Sequence, residues 1–197
     1  MRRCAWVLVA VALGALLLAG CGDSSGAGRV GTPTATPSAP TPGPSFALYK
    51  SPDGVYAVTY PMGWTSTPLN ASPVVHGVSF AAPDEHEYFY VLPLNQSLPT
   101  ADYANFIQNF AEAKQATNIS PAVGDEFTTS TTTIGAHTWT ELDGGMTLGG
   151  TGYALREYGT PHGGGTVLVL TAAPAADAQQ TFNSTFRPML ASLTFFN

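Results

Sequence analysis

Hydrophobic and polar positions along the chain change period several times, and each change marks an element. Ala5 to Ala19 carry no charge and no polar alternation: Trp6, Val7, Leu8, Val9, Val11, Leu13, Leu16, Leu17 and Leu18 form one apolar run behind Arg2 and Arg3. Gly22 to Ser45 then lack any large apolar residue except Val30. From Phe46 the pattern turns to alternation. Phe46 to Lys50 predicts a short strand, Ser51-Pro52-Asp53-Gly54 a tight turn, and Val55 to Tyr60 a strand with Tyr56, Val58 and Tyr60 on one face. Pro61 lacks an N–H and ends that ladder. Met62-Gly63 turns the chain so that Trp64 folds back over the aromatic face.

Val74 to Ala82 reads as the next strand, with Val74, Val78 and Phe80 sharing a face with His76. Pro83 to His86 form a polar turn. Glu87 to Leu94 is apolar on both faces, which predicts a sheet covered on both sides. Tyr103, Phe106, Ile107 and Phe110 recur at helical spacing behind Pro99 and a capping Thr100, in a helix that ends near Ala116 to Asn118. Phe127 to Ile134 is Thr-rich and edge-like. Gly135-Ala136 turns it into His137 to Leu142, and Gly144 to Gly152 reads as a Gly-rich connection. Tyr153 to Tyr158 and Thr166 to Thr171 form a hairpin around Pro161 to Gly165, the second being the best central strand in the chain. A last helix starts near Ala175 with Phe182, Phe186, Leu190 and Leu193 along one stripe. Pro188 should kink or split it. Phe195-Phe196 adds a terminal strand pair. Strands, helix, strands, helix predict an α+β fold: an antiparallel sheet flanked by helices.

The first apolar run predicts where the domain resides. As a helix its fifteen residues would span only about 22 Å, short of a bilayer core of about 30 Å. A positive head, a short apolar run and small residues before a cut site describe a secretory signal over residues 1–20. Leu18-Ala19-Gly20-Cys21 resembles a bacterial lipobox. That resemblance implies lipidation of Cys21 with acyl chains such as palmitate, cleavage just before it, and a membrane anchor on the extracytoplasmic face. Residues 21–45 then form a linker, in which Thr32 to Pro44 alternate Thr, Ser and Ala with Pro. Such a composition cannot offset the entropy of ordering it, and proline biases it toward extended polyproline II. Residues 46–197 make one globular domain of a size that supports a core of its own.

Charge and cysteine content narrow the chemistry. The chain carries net charge −6, with only 10% charged residues, which argues against nucleic acid as a partner. Its two cysteines are Cys4 and Cys21. One leaves with the signal and the other takes the lipid, so neither a disulfide nor a Cys nucleophile remains.

Tyr56-Ala57-Val58-Thr59-Tyr60-Pro61-Met62-Gly63-Trp64, just after a Gly turn, resembles the opening of PsbP-like domains, whose bacterial relatives include lipoproteins of the DcrB and LpqN kinds. The mid-chain helix after Leu98-Pro99-Thr100, the Gly135-Ala136 hairpin and the helix-then-Phe ending extend the likeness over most of the domain. The resemblance implies an α/β/α sandwich and a binding, stability or assembly role. It carries no shared catalytic residues.

Candidate chemistry is sparse. Asp84-Glu85-His86-Glu87 is the densest set of ligand-type side chains, but contiguous residues diverge at a strand start. His76, His137 and His162 would form a metal site only by converging. Glu141 and Asp143 fall at a strand end, without a stated partner for paired-carboxylate chemistry. No Gly-x-Ser-x-Gly elbow is present. Trp64 and Trp139 suit a core better than a sugar platform. The reading is therefore a non-catalytic binding or assembly module at the envelope, with no metal, cofactor or catalytic residue assigned. Its partner is an unidentified envelope protein or a small ligand. The alternative is an envelope enzyme such as a metal-dependent hydrolase.

Overall fold

The computed structural model describes residues 45–70 and 73–196. The proposed signal, Cys21 and the linker before Ser45 lie outside the described residues. Among the described residues, no helix is long and apolar enough to cross a membrane.

Among the described residues, eleven strands form two antiparallel sheets. The small sheet orders β1 (Phe46–Lys50), β2 (Tyr56–Pro61) and β11 (Thr194–Phe195) as β1-β2-β11. The large sheet comprises β3 (Thr65–Leu69), β4 (Gly77–Ala81), β5 (Tyr88–Leu94), β10 (Gly165–Pro174), β9 (Thr151–His162), β8 (His137–Leu148) and β6 (Thr117–Pro121), in that order. β7 (Thr129–Ile134) lies beside β6 on the outer edge of β8.

β10 is the centre. It pairs Val169 with Val91 of β5 on one side and with Tyr158 of β9 on the other. Its residues are buried from Gly165 to Ala173. An apolar run of this kind suits a strand covered on both faces. Alternation sends Val167, Val169 and Ala173 to one face with Val78, Phe80, Phe89, Val91, Trp139 and Tyr158. Leu168, Leu170 and Ala172 go to the other, with Tyr90, Leu92, Leu94, Leu142, Met146 and Leu155.

Each face has its own cover. The first packs against Tyr56 and Val58 of the small sheet and against the C-terminal helical run. Tyr49 and Tyr60 meet Phe80 at ring distances of 5.5 and 4.7 Å. The second face takes α1 (Tyr103–Ala113), entered through a 3₁₀ turn at Thr100–Asp102, with Tyr103, Ile107 and Ala111 buried. Thr100 is the first residue of that turn and its side chain caps nothing. The helix ends at Ala113, because Gln115 takes φ +58° and the chain re-enters the sheet as β6.

The C-terminal run is split as Pro188 requires. α2 (Ala178–Thr181) leads into a π-turn, Phe182–Phe186, and then α3 (Arg187–Ser192), with Pro188 in its first turn. The Arg187 N–H reaches back five residues to the carbonyl of Phe182, so the ladder lengthens by one residue just before the proline ring.

Several expectations are corrected. Gly144 to Gly152 is not a connection: Gly144, Gly145 and Met146 continue β8 against Leu155, Ala154 and Tyr153, and only Gly149-Gly150 turn. Gly144 sits in the strand because the Phe127 ring packs over its Cα, 3.0 Å from where a Cβ would stand. The strand expected from Val74 begins at Gly77, since His76 has φ +50° and breaks the alternation. Val74 consequently packs on the second face, away from Val78 and Phe80. β3 and β6 are short, polar edge strands with no alternation to reveal them. Trp139 is fully buried and donates to the Ile134 carbonyl at 3.4 Å. Trp64 is half-buried, with its ring edge-on to Phe186 at 6.3 Å.

A carboxyl group lies inside the second face. Glu157 of β9 has no solvent exposure and neither carboxyl oxygen has a hydrogen-bond partner. Its strand neighbours are Leu142 and Leu170. Burial pushes its pKa from 4.5 up to about 9. Two residues on, Gly159 lies under the Tyr103 phenol, where a methyl group would overlap the ring.

Three stability outcomes follow. The folded state holds the Glu157 proton to about pH 9 while the unfolded chain releases it near 4.5. This group's contribution is therefore full below about pH 4.5 and is lost as pH rises toward 9. Urea unfolding at stepped pH should show that decline, Glu157→Gln should flatten it, and Glu157→Met should add about 1–3 kcal/mol at pH 8 by removing an unsatisfied buried group. An identical pH slope in Glu157→Gln contradicts the assignment. Gly159→Ala should cost about 1–3 kcal/mol by overpacking, and Tyr103→Leu in that background should recover part of the loss. In thermal melts, Trp139→Ala should cost about 3–5 kcal/mol. Trp64→Ala should cost less, roughly 2 kcal/mol, because its ring is only half-buried. An unchanged melting point for Trp64→Ala would place the indole outside the core.

Candidate functional site

The connections at one end of the domain enclose a recess of about 410 Å³. Remote stretches of the chain build it, over a floor that includes Val167 of β10. The β1–β2 turn brings Asp53 and Val55, and β2 starts there with Tyr56. The end of β5 brings Pro93 to Asn95, with Val75 alongside. The β9–β10 turn brings His162 and Gly163. The chain end brings Phe195 and Phe196. The volume falls in the range of small-molecule sites, and the walls are mostly apolar with a few polar groups, as such sites usually are.

Hydrogen bonds hold these stretches in place. The Val55 N–H donates to Asp53 Oδ1 at 3.2 Å, closing the turn. Tyr56 donates its hydroxyl to the His76 carbonyl at 2.9 Å, tying β2 to the segment before β4. The His76 N–H donates to Asn70 Oδ1 at 2.9 Å, which stabilises its left-handed backbone. The Phe196 N–H donates to the Val55 carbonyl at 2.7 Å. Phe195 lies between two imidazoles, with His162 stacked at 4.6 Å and His137 tilted at 4.7 Å. His137 Nε2 also contacts the Leu193 carbonyl at 3.0 Å.

Asp53 is the one carboxylate among the lining residues, and no lysine or arginine lines the recess. Partial burial works against its ionisation. Hydrogen bonds from Ser51 and from the Val55 N–H, with the His76 imidazole nearby, outweigh that and hold its carboxyl below the usual range. His76 Nε2 stands 4.0 Å from Asp53 Oδ2. The Tyr56 hydroxyl is pushed up by burial and by neighbouring Tyr49 and Asp53, so it stays protonated.

A second, smaller recess of about 210 Å³ opens where β6 leaves the edge of β8 and β7 begins. Glu141 and Asp143 face it from one side of β8. Tyr158 donates to Glu141 Oε1 at 2.8 Å, while Arg156 Nε stands 3.6 Å from Asp143 Oδ1, an ion pair that leaves that buried oxygen without a hydrogen bond. Burial, and secondarily Glu141, raise the Asp143 pKa against the pull of Arg156. Arg156 also lies over the Phe182 ring at 4.2 Å and donates to Gln179 at 3.0 Å. The arrangement binds β8 and β9 to the C-terminal helical run.

The histidines singled out in the sequence go to separate places. His137 and His162 meet only through Phe195. His86 Nδ1 contacts the Tyr153 hydroxyl at 3.2 Å. Its neighbours diverge from it: Asp84 accepts from the His86 N–H at 3.1 Å and Glu87 accepts from Thr181 at 2.8 Å. Among the described residues, no three His, Cys, Asp or Glu side chains come together as a metal site. Nothing in the sequence marked the recess residues Asp53, Val75, Asn95 and Phe196 as parts of a site. Asp53 reads as a turn residue, and nothing local shows that the β5 end, the β9–β10 turn and the chain terminus meet beside it.

No family model matches the chain, and no curated protein matches it. Solved structures do. The cyanobacterial PsbP of Synechocystis sp. PCC 6803 is similar with TM-score 0.52 at 16% identity, over 87% of this chain and 98% of that one. A protein from Bacteroides thetaiotaomicron is similar with TM-score 0.50 at 16% identity over 79% of this chain, which spans about half (49%) of that longer chain. LpqN of Mycobacterium tuberculosis, a protein involved in cell envelope biogenesis, is similar at TM-score 0.41 and 15% identity over 78% of this chain and 91% of its own. At that distance its role does not bear on this one. The first of these likenesses, over nearly the whole of both chains, shows that the described domain has the PsbP-like fold.

Proposed function

We propose that this chain is a lipid-anchored extracytoplasmic bacterial lipoprotein whose domain is a non-catalytic binding or assembly module at the cell envelope. The observation that carries the binding half is the end recess. It is concave, mostly apolar and of small-molecule size, and it is built on hydrogen-bonded turns. The lipobox Leu18-Ala19-Gly20-Cys21 supports the anchor. The Pro- and Thr-rich stretch to Ser45 supports a spacer, which would reach on the order of 70 Å when fully extended. The PsbP-like resemblance supports binding over catalysis.

The enzyme alternative needs an activated group aimed at a substrate. The His–carboxylate contact beside the recess is His76 with Asp53, at 4.0 Å. The raised carboxyl of Glu157 lies under α1, without a partner to exchange protons with. Neither arrangement supports a hydrolase.

Fractionation of cells expressing the full chain tests the anchor. The wild type should sit in the membrane fraction, incorporate labelled palmitate and start at Cys21. Cys21→Ser should be released or persist as unprocessed precursor. A Cys21→Ser protein that stays membrane-bound at mature size would refute lipid anchoring.

A further inference from the structure

We infer that the end recess binds a small organic cation, with its ammonium group at Asp53 and its apolar or aromatic body against the exposed Phe196 and Val75. This rests on the binding-module reading but not on the anchor. Four observations carry it. The lining holds one carboxylate, Asp53, and no lysine or arginine, with His162 and Asn95 as further polar side chains, so Asp53 is the one acidic group that the polar end of an occupant can meet. Asp53 is reachable, with its side chain 28% exposed, and His76 at 4.0 Å is beyond hydrogen-bond distance. Phe196 supplies the open ring face, since Tyr56 is buried and Phe195 is held between His162 and His137. Phe196 is 45% exposed at the rim although its own N–H is bound to Val55, and ring faces attract ammonium groups. The whole chain is acidic, at net charge −6, which raises the local concentration of cations and lowers that of anions.

Size and framing select a free small molecule over a protein side chain. The recess holds about 410 Å³, enough to enclose a compact ligand. An inserted lysine would bring only a thin stem and leave the aromatic wall uncovered. Exposed Val75 at 39% and Phe196 extend the apolar rim enough to cover a ligand body. The frame is preformed, because the Val55–Phe196 and Tyr56–His76 hydrogen bonds are already made. Binding would therefore cost little ordering.

The test is a titration of the full mature chain in detergent with three probes of one shape, read by amide NMR shifts. The probes are 2-phenylethylammonium, 2-phenylethanol and phenylacetate. The ammonium probe should shift Val55, Asn95, Gly163 and Phe196 and bind about tenfold tighter than the alcohol. Phenylacetate should not bind. Asp53→Asn keeps an oxygen for the Val55 N–H, so the turn should survive while ammonium affinity falls about tenfold. Phe196→Ala, at an exposed position, should weaken the ammonium probe about three- to tenfold without changing the melting point. Equal binding of all three probes, preference for phenylacetate, or no shift of these amides overturns the proposal. Tighter binding of the peptide acetyl-Ala-Lys-Ala-amide than of 2-phenylethylammonium overturns the small-molecule assignment in favour of a protein partner. Chemical turnover of a cation that binds by these rules would refute the non-catalytic reading and leave the recess assignment standing.

Discussion

The structure depends on a strand that cannot tolerate water on either side. β10 is buried from Gly165 to Ala173, with Val and Leu alternating to opposite faces. A central strand of that kind commits the chain to two covers. α1 supplies one with a single amphipathic helix. The other is assembled from both ends of the domain, β1 and β2 from its start and the helical run with β11 from its end. The long separation between these pieces makes the second cover the late, non-local part of the fold.

That second cover has a consequence for function. Its small sheet closes only when Thr194 and Phe195 pair with Ala57 and Tyr56. Where this short closure meets the ends of β5 and β9, the layers do not fill the space between them, and the recess is left. Its walls are turns and strand ends rather than long loops. Three close contacts fix them: the Phe195 ring against His162 and His137, and the Phe196 N–H on Val55. The same pieces that seal the core therefore shape the site. The Pro188-induced π-turn sets the register in which the chain arrives there.

How much of this was legible in the sequence follows from the range of the forces involved. The α+β class, the central Thr166 to Thr171 strand, α1 and the splitting effect of Pro188 are local signals of period and backbone chemistry, and they were readable. β3 and β6 were not, because edge strands such as Thr65–Leu69 are exposed and polar and carry no alternation. Gly144 and Gly145 misread as loop because local propensity favours a turn there, whereas Phe127 packing over Gly144 decides for strand. His76 defeated the alternation rule through one positive φ held by Asn70. The recess was invisible for a related reason. Its chemistry rests on Asp53 and Phe196, at opposite ends of the domain, and only tertiary closure makes them neighbours. Glu157 shows the converse: a charged residue in an alternating strand reads as solvent-facing, while the register places it between Leu142 and Leu170 beneath α1.

The central claim is that the chain end closes the second cover and, with it, a preformed recess. Native-state amide exchange of the full mature chain tests this most directly. Amides of β10 from Val167 to Ala172 should exchange slowest, at the rate of global unfolding. The Phe196 amide should be protected well beyond an exposed peptide, in step with its neighbours in β2. Exchange at Phe196 at the rate of an unstructured chain, with β10 still protected, would mean that the core stands without its terminal strand. The recess wall would then be absent from the protein in solution.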